Sequence, residues 1–328
     1  MKTGPRNLIT DVAGVSVGNA HDARLASGVT VALFEPGALA SVAVTGGAPG
    51  GRDLGCLEPD AYVAQVDALV LSGGSAYGLD APSGAQAFLR ERGRGIGFGA
   101  AVVPIAPGAI LFDLMNGGDK AWGRYPPYRE LAYDACQTAA EDFALGSSGA
   151  GYGATTADLK GGLGSASAIA SAGHRVGALV AVNALGSAVV DGGPHFWAAP
   201  FESGTEFGGL GPAAAPRGAI KWKGRAPATT IGMVATDARL TKAEARRMAI
   251  AASGGLSKGL RLAHALFDGD TIFAVSTSRS TMLAPEQDLM EICALASDCL
   301  ARAIARAVFC ATALPFAGAL PAWRDRFG

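Results

Sequence analysis

The chain has little charge. Asp, Glu, Lys and Arg make up 17% of its 328 residues, against about 25% in a typical globular protein. The 27 basic and 28 acidic residues nearly cancel, leaving a net charge of −1. With no basic field and no block of like charge, a nucleic-acid partner is excluded. Cysteine is sparse as well. Cys56, Cys136, Cys293, Cys299 and Cys310 are odd in number and form no CxxC pair, which argues against a disulfide framework or a zinc ribbon. The last three lie in an apolar helical stretch and read as small buried hydrophobes. Only four histidines are present (His21, His174, His195, His264), all scattered, so no metal site is expected and none is predicted. Long apolar runs are missing too. The best candidate, Ala101 to Phe112, carries Pro104 and Pro107 and is too short to cross a bilayer. The opening MKTGPRNLITDVAGV has no extended apolar stretch, so no secretory signal is expected. These absences predict a soluble, cytoplasmic chain without membrane contact.

What is abundant is apolar residues and glycine. Hydrophobic residues reach 49% and the mean hydropathy is +0.27. A chain so short of polar cover is expected to hide apolar surface in an oligomer. Glycine supplies 47 of the 328 residues, in clusters without a fixed period. That pattern excludes collagen and predicts tight turns and close backbone approaches.

Short apolar runs bounded by Gly, Pro or polar residues predict strands at Val29–Phe34, Ser41–Thr45, Ala68–Leu71 and Ala178–Val182. Helical spacing marks Asp80–Arg92 and Arg129–Phe143. Thr229–Thr236 reads as a strand. Thr241 with Glu244 forms a capping box, predicting a helix from Lys242 that stops near Gly254–Gly255. A second short helix is expected over Ser257–Leu266, a strand over Thr271–Thr277, and a long buried helix from Pro285 to about Thr312. No linker divides the chain, so a single domain over 1–328 is expected. The irregular mixture of strands and helices favours the α+β class over a doubly wound sheet.

Several familiar motifs fail on inspection. GAGYGA (Gly149 to Ala154) meets the loose GxGxxA pattern, but a dinucleotide fingerprint needs a preceding strand, and Glu141–Ser148 reads as the end of a helix. No GxxxxGK[ST] or HExxH is present, and the two GxSxG matches, Gly14 to Gly18 and Gly255 to Gly259, do not lie at a strand-to-helix elbow. Lys160, in KGG, reads as a surface charge. One constellation survives. Ala228-Thr229-Thr230 heads the strand TTIGMVAT, Asp268-Gly269-Asp270 precedes TIFAVST, and Asn183 ends ALVAVN. Taken alone, Thr229 and Thr230 are ordinary strand residues, Asp-Gly-Asp is an ordinary turn, and Asn183 an ordinary strand end.

Together with GGSAYGL (Gly73 to Leu79), GAGYGAT, KGGLGSAS (Lys160 to Ser167), NLITDVAGVSVGNAHD and GGAPGGRD (Gly46 to Asp53), these residues resemble the P1 peptidase family. That family includes the DmpA-type β-peptidyl and D-aminopeptidases and the nylon-oligomer hydrolases. The resemblance covers nearly the whole chain. It implies a four-layer α-β-β-α sandwich and an N-terminal-nucleophile amidohydrolase made as one inactive chain. Carried to this sequence, self-cleavage falls between Ala228 and Thr229, giving fragments 1–228 and 229–328 that stay together.

A threonine hydroxyl is a weak nucleophile without a neighbouring base. The freed α-amine of Thr229 supplies one on the same residue, since a peptide α-amine titrates at about 7.7–8.0. The resemblance further implies that Asn183 stabilises the oxyanion and that Asp268 and Asp270 jointly polarise the nucleophile or hold a substrate ammonium. Tyr77 would donate a phenolic hydrogen bond, and Thr230 would extend the network. The implied partner is a small peptide or amide, the assembly a tetramer of processed protomers, and no cofactor is needed. Two positions depart from the family pattern: Ala228 replaces a common Asn, and Ala157-Asp158 replaces a common Gly-Lys pair. Two other readings compete, namely an acyl transferase like the ornithine acetyltransferases and an unprocessed, non-catalytic oligomeric scaffold.

Overall fold

The computed structural model describes residues 1–328. Eleven strands and five α-helices alternate irregularly along the chain. The strands are β1 (Val15–Asp22), β2 (Ser27–Val44), β3 (Gly51–Arg52), β4 (Val66–Ser72), β5 (Ile96–Phe98), β6 (Ala101–Val103), β7 (Gly108–Ile110), β8 (Gly162–Ile169), β9 (Arg175–Asn183), β10 (Thr229–Ala238) and β11 (Thr271–Ser280). The helices are α1 (Ala81–Glu91), α2 (Tyr128–Gln137), α3 (Lys242–Gly259), α4 (Pro285–Phe309) and α5 (Trp323–Phe327). A large mixed sheet runs in the order β3-β7-β4-β2-β11-β10-β9-β8, with β1 on β2, and β5 and β6 form a separate hairpin.

The two strands expected at Val29–Phe34 and Ser41–Thr45 are one strand, β2. Its first half pairs with β1 and β4 and its second half with β11, the register shifting between Leu33 and Ala38. Alternate residues of the central strands enter different apolar clusters, as the period-2 geometry of a strand requires. Val176, Ala178, Val180 and Val182 of β9, Val234 of β10 and Ile272 and Ala274 of β11 pack with residues of α3 and α4. Leu179, Ala181, Ile231, Met233, Phe273 and Val275 join Phe34, Leu69 and Leu71 in a second cluster. Val29, Val31, Leu33, Ala68 and Val70 meet α1 and α2 in a third. Strands covered on both faces read as continuous apolar runs.

Three sequence expectations are corrected. Gly254–Gly255 does not end α3, which continues to Gly259 and absorbs the start of the helix expected over Ser257–Leu266; no second helix forms there. The glycines serve close packing, since a Cβ on Gly255 would lie 2.4 Å from the Ser297 carbonyl oxygen of α4 and one on Gly259 3.0 Å from Ile304. Helix α2 stops at Gln137 instead of Phe143. The following residues pair with β1 instead, through Val17 N–H to Ala140 O at 2.9 Å and Ala140 N–H to Val17 O at 3.1 Å. The capping box at Thr241 forms as expected, with the Thr241 side chain accepting from Glu244 N–H. No helix is long and apolar enough to cross a membrane.

Candidate active site

Strands β10 and β11 are parallel neighbours, with Ile231 opposite Thr271. The residues just ahead of both strands are therefore brought together. Ala228 and Asp268 form a parallel bridge: Ala228 N–H donates to Phe267 O at 3.1 Å, and Gly269 N–H donates to Ala228 O at 3.0 Å. Thr229 is 3% exposed, and its hydroxyl donates back to the same Ala228 carbonyl. That carbonyl thus has the threonine oxygen on one side and a fixed backbone donor on it. Residue 269 has to be glycine here. A Cβ would stand 2.8 Å from Thr229 Oγ1 and 2.9 Å from Ala48 O.

Asp268 and Asp270 lie in the turn before β11, and both are 1% exposed. Their surroundings differ. Asp270 is fully engaged, accepting from Thr230 N–H at 3.0 Å and from His264 N–H at 2.8 Å. It ties β10 to the incoming loop, and it raises the pKa of the His264 imidazole, whose Nδ1 is 3.4 Å away. Asp268 keeps one carboxylate oxygen, Oδ1, buried without a partner. Burial, followed by the Asp270 charge, holds its carboxyl well above the usual carboxylate range. The glycine-rich segment 45–51 clasps this turn from the other side: Ala48 N–H donates to Asp268 O at 2.8 Å and Thr45 N–H to Asp270 O at 2.9 Å. A Cβ on Gly46 would lie 2.3 Å from Asp270 N, which explains one of the glycine clusters.

Asn183 is the antiparallel register partner of Thr229. Its amide is oriented by its neighbours. Nδ2 donates to Phe112 O at 2.7 Å, while Oδ1 accepts from Thr155 N–H at 3.0 Å and from Lys223 Nζ at 3.2 Å. Two pure donors on one side and a carbonyl on the other fix which end is oxygen. One of the two amide N–H bonds is therefore committed to Phe112. Lys223 Nζ also donates to Thr155 O at 2.8 Å. Burial lowers its pKa to about 7, partly opposed by Asp268. Beside Asn183 is a cavity of about 250 Å³ lined by Phe112, Asp113, Asn116, Thr155, Lys223 and Pro227, among others.

Thr229, Asn183, Asp268, Asp270, Ala228 and Thr230 are thus gathered at one end of the sheet. Tyr77 is not. It sits on an exposed turn, 53% accessible, packed edge-on against Trp122 at 5.2 Å, and it does not line the cavity. The turn leaves Gly74 in a left-handed conformation (φ 83°), where a Cβ would strike the Tyr128 ring, and Tyr77 is directed outward. Lys160 is likewise corrected. It is no surface charge but is 1% exposed, and its Nζ donates to the carbonyls of Gly151, Ala154 and Gly161 at 2.9, 2.8 and 2.9 Å. It braces the glycine-rich connection. Sequence reasoning missed Lys223, the Thr155 carbonyl, the Gly269 N–H and His264. Of these only Gly269 carried a signal, as the centre of Asp-Gly-Asp.

The sequence profile of peptidase family S58 matches residues 7–319. The chain belongs to peptidase family S58. An uncharacterized aminopeptidase of Mycobacterium tuberculosis is 41% identical over 347 residues, covering 98% of each chain. A 6-aminohexanoate-oligomer endohydrolase of Kocuria sp. is 27% identical over 290 residues, spanning 84% of this chain and 76% of that protein. Among solved structures, a beta-aminopeptidase of Burkholderia sp. superposes with a TM-score of 0.72 at 21% identity, over 98% of this chain and 91% of that one. The L-aminopeptidase D-Ala-esterase/amidase of Ochrobactrum anthropi, described as a variant of the Ntn hydrolase fold, gives 0.71 at 20% identity, over 95% and 88%. Family S58 membership and these named relatives support a peptide or amide hydrolase.

Proposed function

We propose that this S58 peptidase matures by cutting its own Ala228–Thr229 bond and then hydrolyses small amides through Thr229. One observation carries the reading: the Ala228 carbonyl is held between the Thr229 hydroxyl and the Gly269 N–H at 3.0 Å. In maturation, Thr229 Oγ1 attacks the Ala228 carbonyl carbon and Gly269 N–H supports the oxyanion. The C–N bond then breaks and the hydroxyl proton ends on the Thr229 nitrogen. The product is an Ala228–Thr229 ester with a free amine. Water cleaves the ester, leaving the Ala228 carboxylate and a free Thr229 hydroxyl.

In turnover the Thr229 amine accepts the hydroxyl proton as Oγ1 attacks a substrate amide. Loss of the Ala228 carbonyl frees Gly269 N–H, so the same donor serves the substrate oxyanion, joined by the uncommitted N–H of Asn183. The acyl-enzyme forms, the protonated amine leaves, and water restores the hydroxyl. We assign Asp270 the task of holding Thr230 and Asp268 that of the free carboxyl beside the nucleophile. The three apolar clusters support reading the fold as four layers, α1 and α2, two halves of the sheet, then α3 and α4.

Denaturing electrophoresis with N-terminal sequencing tests this. The expected outcome is two fragments, the shorter beginning Thr-Thr-Ile-Gly-Met, and a single uncut band for Thr229→Ala. A wild-type chain that remains whole while hydrolysing amides would overturn the proposal.

A further inference from the structure

The wall of the cavity beside Asn183 includes Lys223, Ala226 and Pro227. All three precede the proposed cut, in a stretch without regular secondary structure. Lys223 reaches back into the site. Its Nζ donates to Thr155 O and Asn183 Oδ1, and its charge is felt by Asp268, whose Oδ1 is buried and unpartnered. Three carbonyl-type oxygens around one point, Thr155 O at 2.8 Å, Asn183 Oδ1 at 3.2 Å and Asn183 O at 3.5 Å from Nζ, form a receptor for a primary ammonium, a group with donors and no acceptor. This receptor lies next to the reacting residue, because Asn183 and Thr229 face each other across β9 and β10, one strand spacing or about 5 Å apart.

Resting on the maturation reading above, we propose that this cradle is the subsite for the free ammonium of the substrate, and that Lys223 fills it in the uncut chain as a tethered stand-in. The precursor is then blocked twice. Thr229 lacks its amine, and the ammonium site is filled by a group whose tether presents it at millimolar effective concentration or above. Scission removes both blocks. It creates a carboxylate on Ala228, which is 1% exposed and bridged to Asp268. A new buried anion beside a second carboxyl is strongly disfavoured. The tail carrying Lys223 is expelled toward water, and the cavity opens to an amide bearing a primary amine.

The test is a binding measurement, so it does not depend on turnover. Calorimetry with n-butylammonium as probe compares uncut Thr229→Ala with Thr229→Ala/Lys223→Met. The single variant is expected to show no binding. The double variant should bind, with n-butanol at least tenfold weaker. Thr229→Ala/Lys223→Ala serves if the methionine variant does not fold. Equal binding by single and double variants, or no binding by a folded double variant, would overturn the subsite. A second readout uses acetic anhydride labelling with peptide mass spectrometry. Lys223 is expected to be protected in Thr229→Ala and labelled in the cut wild-type protein. Equal protection in both forms would refute expulsion. If the wild type is never cut, the maturation reading fails by itself, while the calorimetric comparison still judges the cradle.

Discussion

Gly269→Ala is the substitution that probes the site geometry most sharply. The new methyl carbon would stand 2.8 Å from Thr229 Oγ1, 3.0 Å from Thr229 Cγ2 and 2.9 Å from Ala48 O. Unhindered contacts begin near 3.5 Å, so neighbours must give by about half an ångström. One neighbour is the proposed nucleophile. The other is a backbone carbonyl in a loop already clasped to this turn. Neither is the far end of a flexible side chain. Overpacking of this kind costs about 1–3 kcal/mol of stability. A second effect falls on chemistry, because the shift moves Oγ1 away from the Ala228 carbonyl and tilts the N–H that supports the oxyanion. A misplacement of about 1 Å slows a positioned reaction by about 10²-fold, so a shift of about half that size is expected to slow scission about tenfold. The assay is the rate of appearance of the short fragment after synthesis, followed on denaturing gels. Gly97→Ala is the control, since a Cβ there meets nothing within 4 Å. Scission of Gly269→Ala at the control's rate would refute the geometric argument.

The remaining expectations address the carboxylates, the buried lysine and assembly. Asp268→Asn should slow amide hydrolysis by about 10²-fold with little change in melting temperature. Asp270→Asn, which loses an acceptor for one of two buried N–H donors, should destabilise by about 1–3 kcal/mol; paired kinetic and melting measurements separate the two. Burial lowers the Lys160 pKa to about 7, below its unfolded value. Between that value and about 10.4 the unfolded chain holds a proton that the folded chain does not, so this group adds stability as pH rises. Denaturant titrations should therefore show the wild type gaining on Lys160→Met from pH 7 to 10; a constant difference would contradict this. Light scattering of the cut protein should give the mass of the tetramer that the family resemblance implies, and a monomer would contradict that expectation.

The sequence exposed the site where local pattern and fold coincide. Thr229 and Asp268-Gly269-Asp270 each precede a strand, and strands linked through the capped helix α3 are parallel neighbours, so their leading residues meet. Lys223 had no such marker. It sits in KWKGRAPA, a stretch without periodicity, two residues after the half-exposed Lys221; only the folded path of the chain distinguishes them. Gly254–Gly255 misled in the opposite direction. Glycine inside a helix costs about 1 kcal/mol each, yet the close approach of α4 leaves no room for a side chain at Gly255, so tertiary packing overrode the local stop. Tyr77 lay in a matching motif, but the left-handed turn at Gly74 carries it to the surface. The low charge content has an account within one chain: sheet strands covered on both faces and a helix α4 buried along most of its length.

The most direct measurement is mass spectrometry of protein quenched during turnover of an amino-acid amide. The account predicts a transient mass increase, equal to the substrate's acyl group, on the fragment 229–328, mapped to the Thr229 side chain and removed by hydroxylamine. Steady turnover with the acyl group on another residue, or by a chain whose Thr229 is still joined to Ala228, would contradict it.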